Sequence, residues 1–127
     1  MAQTHWGFHL MIDAARCNSK FIRNKGHIAK FAKILVKKID MVPYGEPQVV
    51  HFGSGNKMGY TLMQLIETSN INAHFVEETN DMYLDVFSCK DFNQDIVTDL
   101  VKEYFEPEVI HKRFLYRDAK CDKNCLK

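Results

Sequence analysis

The chain has 127 residues, is 46% hydrophobic and contains only three prolines, a composition typical of a globular protein and not of a disordered one. This length suits one domain over residues 1–127. Because no apolar run approaches the roughly 20 residues of a membrane helix, and because residues 1–6 lack the layout of a secretory signal, we expect a cytoplasmic protein that does not associate with membranes.

The net charge is only +1 at pH 7, but the charges are divided between the two halves of the chain. Residues 14–39 carry eight Lys or Arg and no acid, whereas residues 67–108 carry eleven acids against Lys90 and Lys102. The basic residues fall on a predicted helix whose other side is apolar, which is typical of a solvated helix face. We therefore expect no nucleic-acid partner. Opposite charge in the two halves suits packing within the chain or a self-complementary dimer.

The first third of the chain predicts a strand followed by a helix. Residues 4–13 alternate imperfectly between apolar and polar and indicate a first strand. Apolar residues then recur at helical spacing with lysines between them, which predicts an amphipathic helix over about 26–40. Pro43, Gly45 and Pro47 follow, and they predict the end of that helix and a turn.

The middle of the chain predicts four strands. Residues 48–52 form a short apolar strand, and residues 53–57 a flexible loop that is not a phosphate loop, because no Gly-Lys-Ser/Thr follows it. Residues 59–66 indicate the next strand. Two alternating runs, 70–76 and 82–89, are separated by a polar break and predict a β-hairpin.

The last third predicts a helix and a strand. Apolar residues on one side of a second helix precede Pro107, and residues 109–116 form a last strand, followed by a tail over 119–127. The order is β-α-β-β-β-β-α-β. It predicts an α+β two-layer sandwich in which two helices lie on one face of a largely antiparallel sheet. The uncovered face is available to pair with another copy of the chain.

Three side chains of types that can take part in catalysis lie in or beside the hairpin. If residue 76 pairs with residue 82, the same register pairs Ser69 with Cys89 at the open end, a hydroxyl facing a thiol. His74 lies five residues after Ser69, so an unbroken strand would place the two on opposite faces. A bulge or a break of the backbone near Ser69 would remove that objection.

The cysteines do not form a metal-binding pattern. Cys17, Cys89, Cys121 and Cys125 fit free thiols in a reducing compartment. Cys121 and Cys125 are spaced too loosely for a zinc site and have no second pair beside them. We expect no metal ion in this protein.

Three motifs occur in order along the chain. They are Gly7-x-His9-x-x-x-Asp13-x-x-x-Cys17, then Gly59-Tyr60-Thr61, and then Ser69, His74 and Cys89, the last within Asp85-Val86-Phe87-Ser88-Cys89. In these motifs and in their spacing, the chain resembles the small prokaryotic-type S-adenosylmethionine decarboxylase proenzymes over about residues 5–118.

The resemblance implies a proenzyme that cuts itself between Thr68 and Ser69 into chains 1–68 and 69–127. The Ser69 hydroxyl would attack the Thr68 carbonyl, and elimination and hydrolysis would leave a covalently bound pyruvoyl group at residue 69. That ketone would form a Schiff base with the amine of S-adenosylmethionine and accept the electrons left as carbon dioxide departs. The product would feed spermidine synthesis, and the active form would be a homodimer of cleaved protomers.

The resemblance also implies roles for other residues. His74, with support from Thr61, would assist the backbone cut, and Cys89 would return a proton to the substrate α-carbon. Phe52 would stack on the adenine of the substrate, and Glu78 would bind its ribose.

Four departures from the family pattern leave alternatives open. Thr68 stands where the family usually has Glu, Asn70 where it has His, Asn72 where it has Ser, and Val76 where it has Trp. Without that Trp, the pocket would also suit a basic amino acid such as arginine or ornithine. The altered residues beside the cut also suit a non-catalytic paralogue that regulates a true decarboxylase.

Overall fold

A computed structural model describes residues 5–120 of the chain. The elements are β1 (Gly7–Ala15), α1 (Ser19–Ile22), α2 (Lys25–Lys38), β2 (Pro43–Phe52), β3 (Gly59–Ile66), β4 (Ser69–Val76), β5 (Asp81–Ser88), α3 (Gln94–Phe105) and β6 (Val109–Arg117). A short 3-10 helix, Gly55–Lys57, lies between β2 and β3. The predicted order is confirmed, with α1 as an added short helix ahead of the predicted one.

The six strands form one antiparallel sheet in the order β2-β3-β4-β5-β1-β6. Along β4 the side chains of Ile71, Ala73 and Phe75 are buried, and the residues between them are half-exposed. Because successive side chains of a strand point to opposite faces, the sheet has one buried face and one face that we call the open face. The predicted α+β two-layer sandwich is confirmed.

The helices cover the buried face. Helix α2 contacts β2, β3 and α3, and its Phe31 ring packs edge-on against Phe105 of α3 at 4.9 Å between centroids. Phe105 in turn lies 5.2 Å from Phe75 of β4. All three rings are fully buried, so the core joins both long helices to the centre of the sheet.

Strand β2 begins earlier than predicted, because residues 43–47 lie in the sheet and the predicted turn there is wrong. Tyr44 pairs with Leu65 and Gln48 with Met63, so β2 advances four residues while β3 advances two. The buried side chain of Gln64 fills this bulge and donates its amide to the carbonyl of Gly45 at 3.2 Å. Edge strands and bulges are where a sheet tolerates proline.

The register of the β4–β5 hairpin differs by one residue from the prediction. Val76 pairs with Asp81 and not with residue 82, and Ser69 pairs with Ser88 and not with Cys89. The connection is one residue shorter than predicted, because Asn80 adopts a left-handed conformation (φ 60°) and closes the turn. Asn is among the residues that adopt this conformation most easily.

Within residues 5–120, no helix is long and apolar enough to cross a membrane. The same residues contain no group of three or more His, Cys, Asp or Glu side chains that could hold a metal ion. Most of the predicted tail over 119–127, including Cys121 and Cys125, lies outside the described residues.

Candidate active site

The bond between Thr68 and Ser69 lies at the end of a tight β-hairpin. Ile66 pairs with Ser69, so Glu67 and Thr68 alone form the turn between β3 and β4. Two-residue hairpins favour turns with positive φ, normally supplied by Gly, Asn or Asp within the turn. Here the positive φ falls on Ser69, at 155°. A non-glycine residue in such a conformation stores about 1–3 kcal/mol, so the backbone is strained at the predicted cleavage bond.

Thr68 is held at both its carbonyl and its side chain. The backbone N–H of Cys89 donates to the Thr68 carbonyl oxygen at 2.9 Å. The hydroxyl of Ser88 donates to Thr68 Oγ1 at 2.7 Å, and itself accepts the backbone N–H of Lys90 at 2.9 Å. The Thr68 hydroxyl then points to the Met41 sulfur at 3.3 Å. We call Thr68, Ser69, Ser88 and Cys89 the cleavage cluster.

Cys89 belongs to this cluster, although it does not pair with Ser69. Ser88 takes that place and is completely buried. Cys89 is the next residue, and it is half-buried. The hydrogen bond from its N–H to Thr68 places it beside the cleavage bond. The structure therefore places the backbone of Cys89 beside Thr68, and the predicted pairing of Ser69 with Cys89 is replaced by a pairing of Ser69 with Ser88.

A second cluster lies on the open face around His74. His74 pairs with Thr61 across β3 and β4, and a hydrogen bond of 2.8 Å joins His74 Nδ1 to Thr61 Oγ1. The Phe52 ring lies 6.3 Å from the imidazole and is 54% exposed. We call Phe52, Thr61 and His74 the histidine cluster. It combines a titratable group, an oriented hydroxyl and an exposed aromatic surface.

The two clusters are separated within one chain. His74 lies five residues beyond Ser69 on β4, which corresponds to roughly 16 Å along an extended strand. Ser69 also pairs with the buried Ser88, whereas His74 is on the open face. The positive φ of Ser69 does not close this separation, so the structure does not bring Ser69 and His74 of the same chain together.

Glu78 and its neighbour Glu77 occupy different environments in the turn after β4. Glu78 is exposed. Glu77 is 8% exposed, and its carboxylate lies 2.7 Å from His51 Nε2. Arg23 donates to the Glu77 carbonyl at 2.8 Å. Neither Glu77 nor Ser88 was identified from the sequence, because a glutamate in a polar turn and a serine in a strand carry no distinguishing signal.

Comparisons with known proteins agree on the fold. The family model of S-adenosylmethionine decarboxylase matches residues 8–118. Among solved structures, the adenosylmethionine decarboxylase from Aquifex aeolicus VF5 superposes with a TM-score of 0.78 at 19% sequence identity, over 96% of this chain and 98% of that chain. A search of curated protein sequences finds no match.

Proposed function

The chain belongs to the S-adenosylmethionine decarboxylase family, and from that premise we propose that this decarboxylase matures by cutting its own backbone between Thr68 and Ser69. The observation that carries the proposal is the positive φ of Ser69, directly after a turn whose carbonyl is held by a backbone N–H. A strained conformation at this bond is released when the bond breaks, which favours cleavage there over any other peptide bond of the turn.

The first step is an acyl shift. The Ser69 Oγ attacks the Thr68 carbonyl carbon and forms a C–O bond, the C–N bond breaks, and the hydroxyl proton ends on the Ser69 nitrogen. Negative charge develops on the Thr68 carbonyl oxygen as the carbon becomes tetrahedral. The Cys89 N–H already donates to that oxygen at 2.9 Å, so the charge develops where a donor is in place.

Elimination and hydrolysis complete the cut. Loss of the Ser69 α-proton breaks its Cβ–O bond and releases Thr68 as a carboxylate. Water then displaces ammonia from residue 69 and leaves a pyruvoyl group. The two chains together differ from the precursor by one added water and one lost ammonia. The position of residue 69 fits this group, because it directly follows the strained turn, and the carbonyl of the preceding Thr68 accepts the N–H of the half-buried Cys89.

The pyruvoyl group supplies an electrophilic ketone that takes up the electron pair left when carbon dioxide departs from the substrate. Cys89 is the residue of this chain that we assign to return a proton to the substrate α-carbon. Its backbone N–H donates to the carbonyl of Thr68, the residue before Ser69, and a thiol can act as a general acid.

His74 and Thr61 act, in our proposal, on the cleavage cluster of a second copy of the chain. The separation of roughly 16 Å along β4 excludes direct contact within one chain. The open face carries exposed apolar side chains, as a buried dimer interface would. They are Tyr44, Val50, Phe52, Met63, Leu65 and Tyr83. Two open faces packed with their β4 strands in opposite directions would place the histidine cluster of each copy near the end of the partner's β4 at which Ser69 lies.

An intact-mass spectrum of the purified protein tests self-cleavage directly. We expect two chains that divide between Thr68 and Ser69, the second beginning with pyruvoyl, and a Ser69→Ala variant that stays whole. A wild-type chain that remains uncut after long incubation would contradict the proposal and favour a regulatory paralogue.

Co-expression of two inactive variants tests the shared site. Ser69→Ala and His74→Ala chains should each stay uncut alone. In a mixed dimer, a His74→Ala chain receives the imidazole of a Ser69→Ala chain and should be cut. If His74 acts within its own chain, the His74→Ala precursor will remain whole in the mixture.

Substrate assays decide between S-adenosylmethionine and a basic amino acid. The exposed Phe52 ring beside His74 supports a nucleoside substrate, because a flat aromatic surface stacks on a base. Val76, in place of an aromatic residue, is the observation that favours arginine or ornithine instead. Release of carbon dioxide from S-adenosylmethionine and not from the two amino acids is the expected result, and its product would supply spermidine synthesis.

A further inference from the structure

Ser88 connects the cleavage bond to the neighbouring strand, although nothing in the reaction requires a hydroxyl at this position. Its side chain is completely buried and lies directly opposite Ser69. It accepts the N–H of Lys90 at 2.9 Å and lies 2.7 Å from Thr68 Oγ1. The Met41 sulfur is farther away, at 3.7 Å.

These distances fix the direction of the hydrogen bonds. A hydroxyl has one proton to donate, and the Ser88 proton goes to Thr68 Oγ1 because that acceptor is closer and stronger than the Met41 sulfur. The Thr68 proton then goes to Met41 at 3.3 Å. The resulting chain runs from the Lys90 N–H through Ser88 and Thr68 to Met41, and each hydroxyl in it both accepts and donates.

The arrangement holds residue 68 at two points. Its carbonyl accepts the N–H of Cys89 and its side chain accepts the hydroxyl of Ser88, so the last residue of β5 and the residue after it both bind one residue of the turn. Thr68 is β-branched and therefore already stiff at χ1. Because both hydrogen bonds would have to break, they disfavour the peptide rotation that would relieve the strained φ of Ser69.

We propose that the hydroxyls of Ser88 and Thr68 form a positioning pair that keeps the peptide bond between Thr68 and Ser69 in its strained, attack-ready conformation and thereby sets the rate of self-cleavage. This inference rests on the proposed self-cleavage. Neither hydroxyl exchanges a proton with the reacting atoms. Both act through the orientation of the Thr68 carbonyl, and small misplacements of reacting groups slow a reaction strongly.

The test removes one hydroxyl at a time without changing the shape of the side chain at residue 68. Thr68→Val is close to isosteric, and Thr68→Ser keeps the hydroxyl. Ser88→Ala removes the partner, and Ser88→Thr keeps it. Precursor is made by cell-free synthesis and sampled at intervals by intact mass, and the thermal midpoint of each variant is measured in parallel.

We expect Thr68→Val and Ser88→Ala each to slow cleavage by about 10- to 100-fold. The conservative variants Thr68→Ser and Ser88→Thr should retain most of the wild-type rate. The double variant Thr68→Val with Ser88→Ala should be no slower than the slower single one, because both remove the same hydrogen bond. Thr98→Val is the matched control. The Thr98 hydroxyl donates to the Gln94 carbonyl within α3 at 3.0 Å, away from the turn, so its loss should leave the rate unchanged.

Hydroxylamine locates the slowed step, since it cleaves an ester but not a strained amide. If the positioning pair promotes the acyl shift, Thr68→Val accumulates no ester and hydroxylamine does not restore its cleavage. Complete cleavage of Thr68→Val by hydroxylamine would show that the shift is intact and would overturn the inference.

The outcomes separate this inference from the proposal on which it rests. An uncut wild-type chain overturns the proposed self-cleavage itself. A wild-type chain that is cut, with Thr68→Val and Ser88→Ala cut equally fast, overturns only the positioning pair. Slow cleavage in Ser88→Ala combined with normal cleavage in Thr68→Val would also overturn it, because Ser88 would then act through Lys90 alone.

Discussion

Replacing Gly59 with Ala tests the geometry that supports the histidine cluster. Gly59 begins β3 two residues before Thr61, and it has φ 158°, a conformation that L side chains rarely adopt. A Cβ at this position would overlap the carbonyl oxygen of Phe75 and lie 2.9 Å from its carbonyl carbon. Both are backbone atoms of the neighbouring strand, so no side-chain rotation relieves the overlap. Either residue 59 changes its backbone conformation or β3 and β4 separate.

The size of the effect follows from these two contributions. The unfavourable φ costs about 1–3 kcal/mol, and forcing backbone apart at an overpacked position costs a further 1–3 kcal/mol or so. Together they lower the free energy of unfolding by about 2–6 kcal/mol, a large share of the roughly 5–15 kcal/mol of a typical domain. For a chain of this length, that corresponds to a fall in Tm of about 7–22 °C.

Thermal unfolding followed by circular dichroism measures this effect, and Gly26→Ala serves as the control. Gly26 lies in the first turn of α2, where an added Cβ would meet only Asn24 Oδ1 at an ordinary 3.5 Å. That substitution should stabilise the protein by about 0.5–1 kcal/mol, because Ala loses less backbone entropy than Gly. If Gly59→Ala leaves Tm unchanged or raises it, the described close approach of Gly59 to the Phe75 carbonyl is wrong.

Three further predictions concern the chemistry of single side chains. Cys89→Ser should still be cut, because the hydrogen bond to Thr68 comes from its backbone, but carbon dioxide release should fall by about 100- to 10,000-fold. An equal loss of self-cleavage and of carbon dioxide release would argue against a role of Cys89 that is limited to proton donation. Phe52→Ala should raise KM for S-adenosylmethionine by about 5- to 150-fold, the loss of one aromatic stack, with a smaller effect for Phe52→Leu than for Ala. An unchanged KM would remove Phe52 from the binding site. Burial, reinforced by the Asp81 carboxylate, raises the pKa of the Cys17 thiol from 9.0 to about 12. The unfolded chain therefore releases this proton first, and the free energy of unfolding should fall by up to about 1.4 kcal/mol per unit from pH 9 to pH 12. Urea titrations at several pH values should show that the free energy of unfolding depends less steeply on pH in Cys17→Ala than in the wild type. Identical slopes in the two proteins would contradict this assignment.

The periodicity of the sequence predicted the six strands and the two long helices, but not the short helix α1. Alternation over residues 70–76 and 82–89 predicted β4 and β5 to within one residue. Helical spacing predicted α2 within two residues at each end. These signals are local, since each depends only on which face of one element is buried.

One error arose where a distant residue decides the local conformation, and the other where a turn can close in more than one way. Pro43, Gly45 and Pro47 carry the composition of a turn, but the side chain of Gln64 on β3 fills the bulge that lets them stay in the sheet. The hairpin register depended on whether Asn80 adopts a left-handed conformation. A polar break of five residues is compatible with more than one such closure.

Ser69, His74 and Cys89 could be selected from the sequence because their types and spacing match a known pattern, and their proposed roles still require the experiments above. The same pattern did not predict which of these side chains lie close together within one chain. Ser69 and Cys89 are twenty residues apart in the sequence and lie in the same cluster. Ser69 and His74 are only five residues apart and lie in two different clusters. Separation along the chain says little about distance once strands pair.

The sequence by itself determined the order of the strands and long helices and the two faces of the sheet, because each follows from residue type and local period. The candidate reactive side chains were selected by their resemblance to a family. Only the tertiary structure decided the positive φ of Ser69 and the hydrogen bonds that Ser88 and Cys89 donate to Thr68. The same is true of the hydrogen bond between Thr61 and His74. These features depend on strand register, and a shift of one residue exchanges every side chain between the buried and the open face.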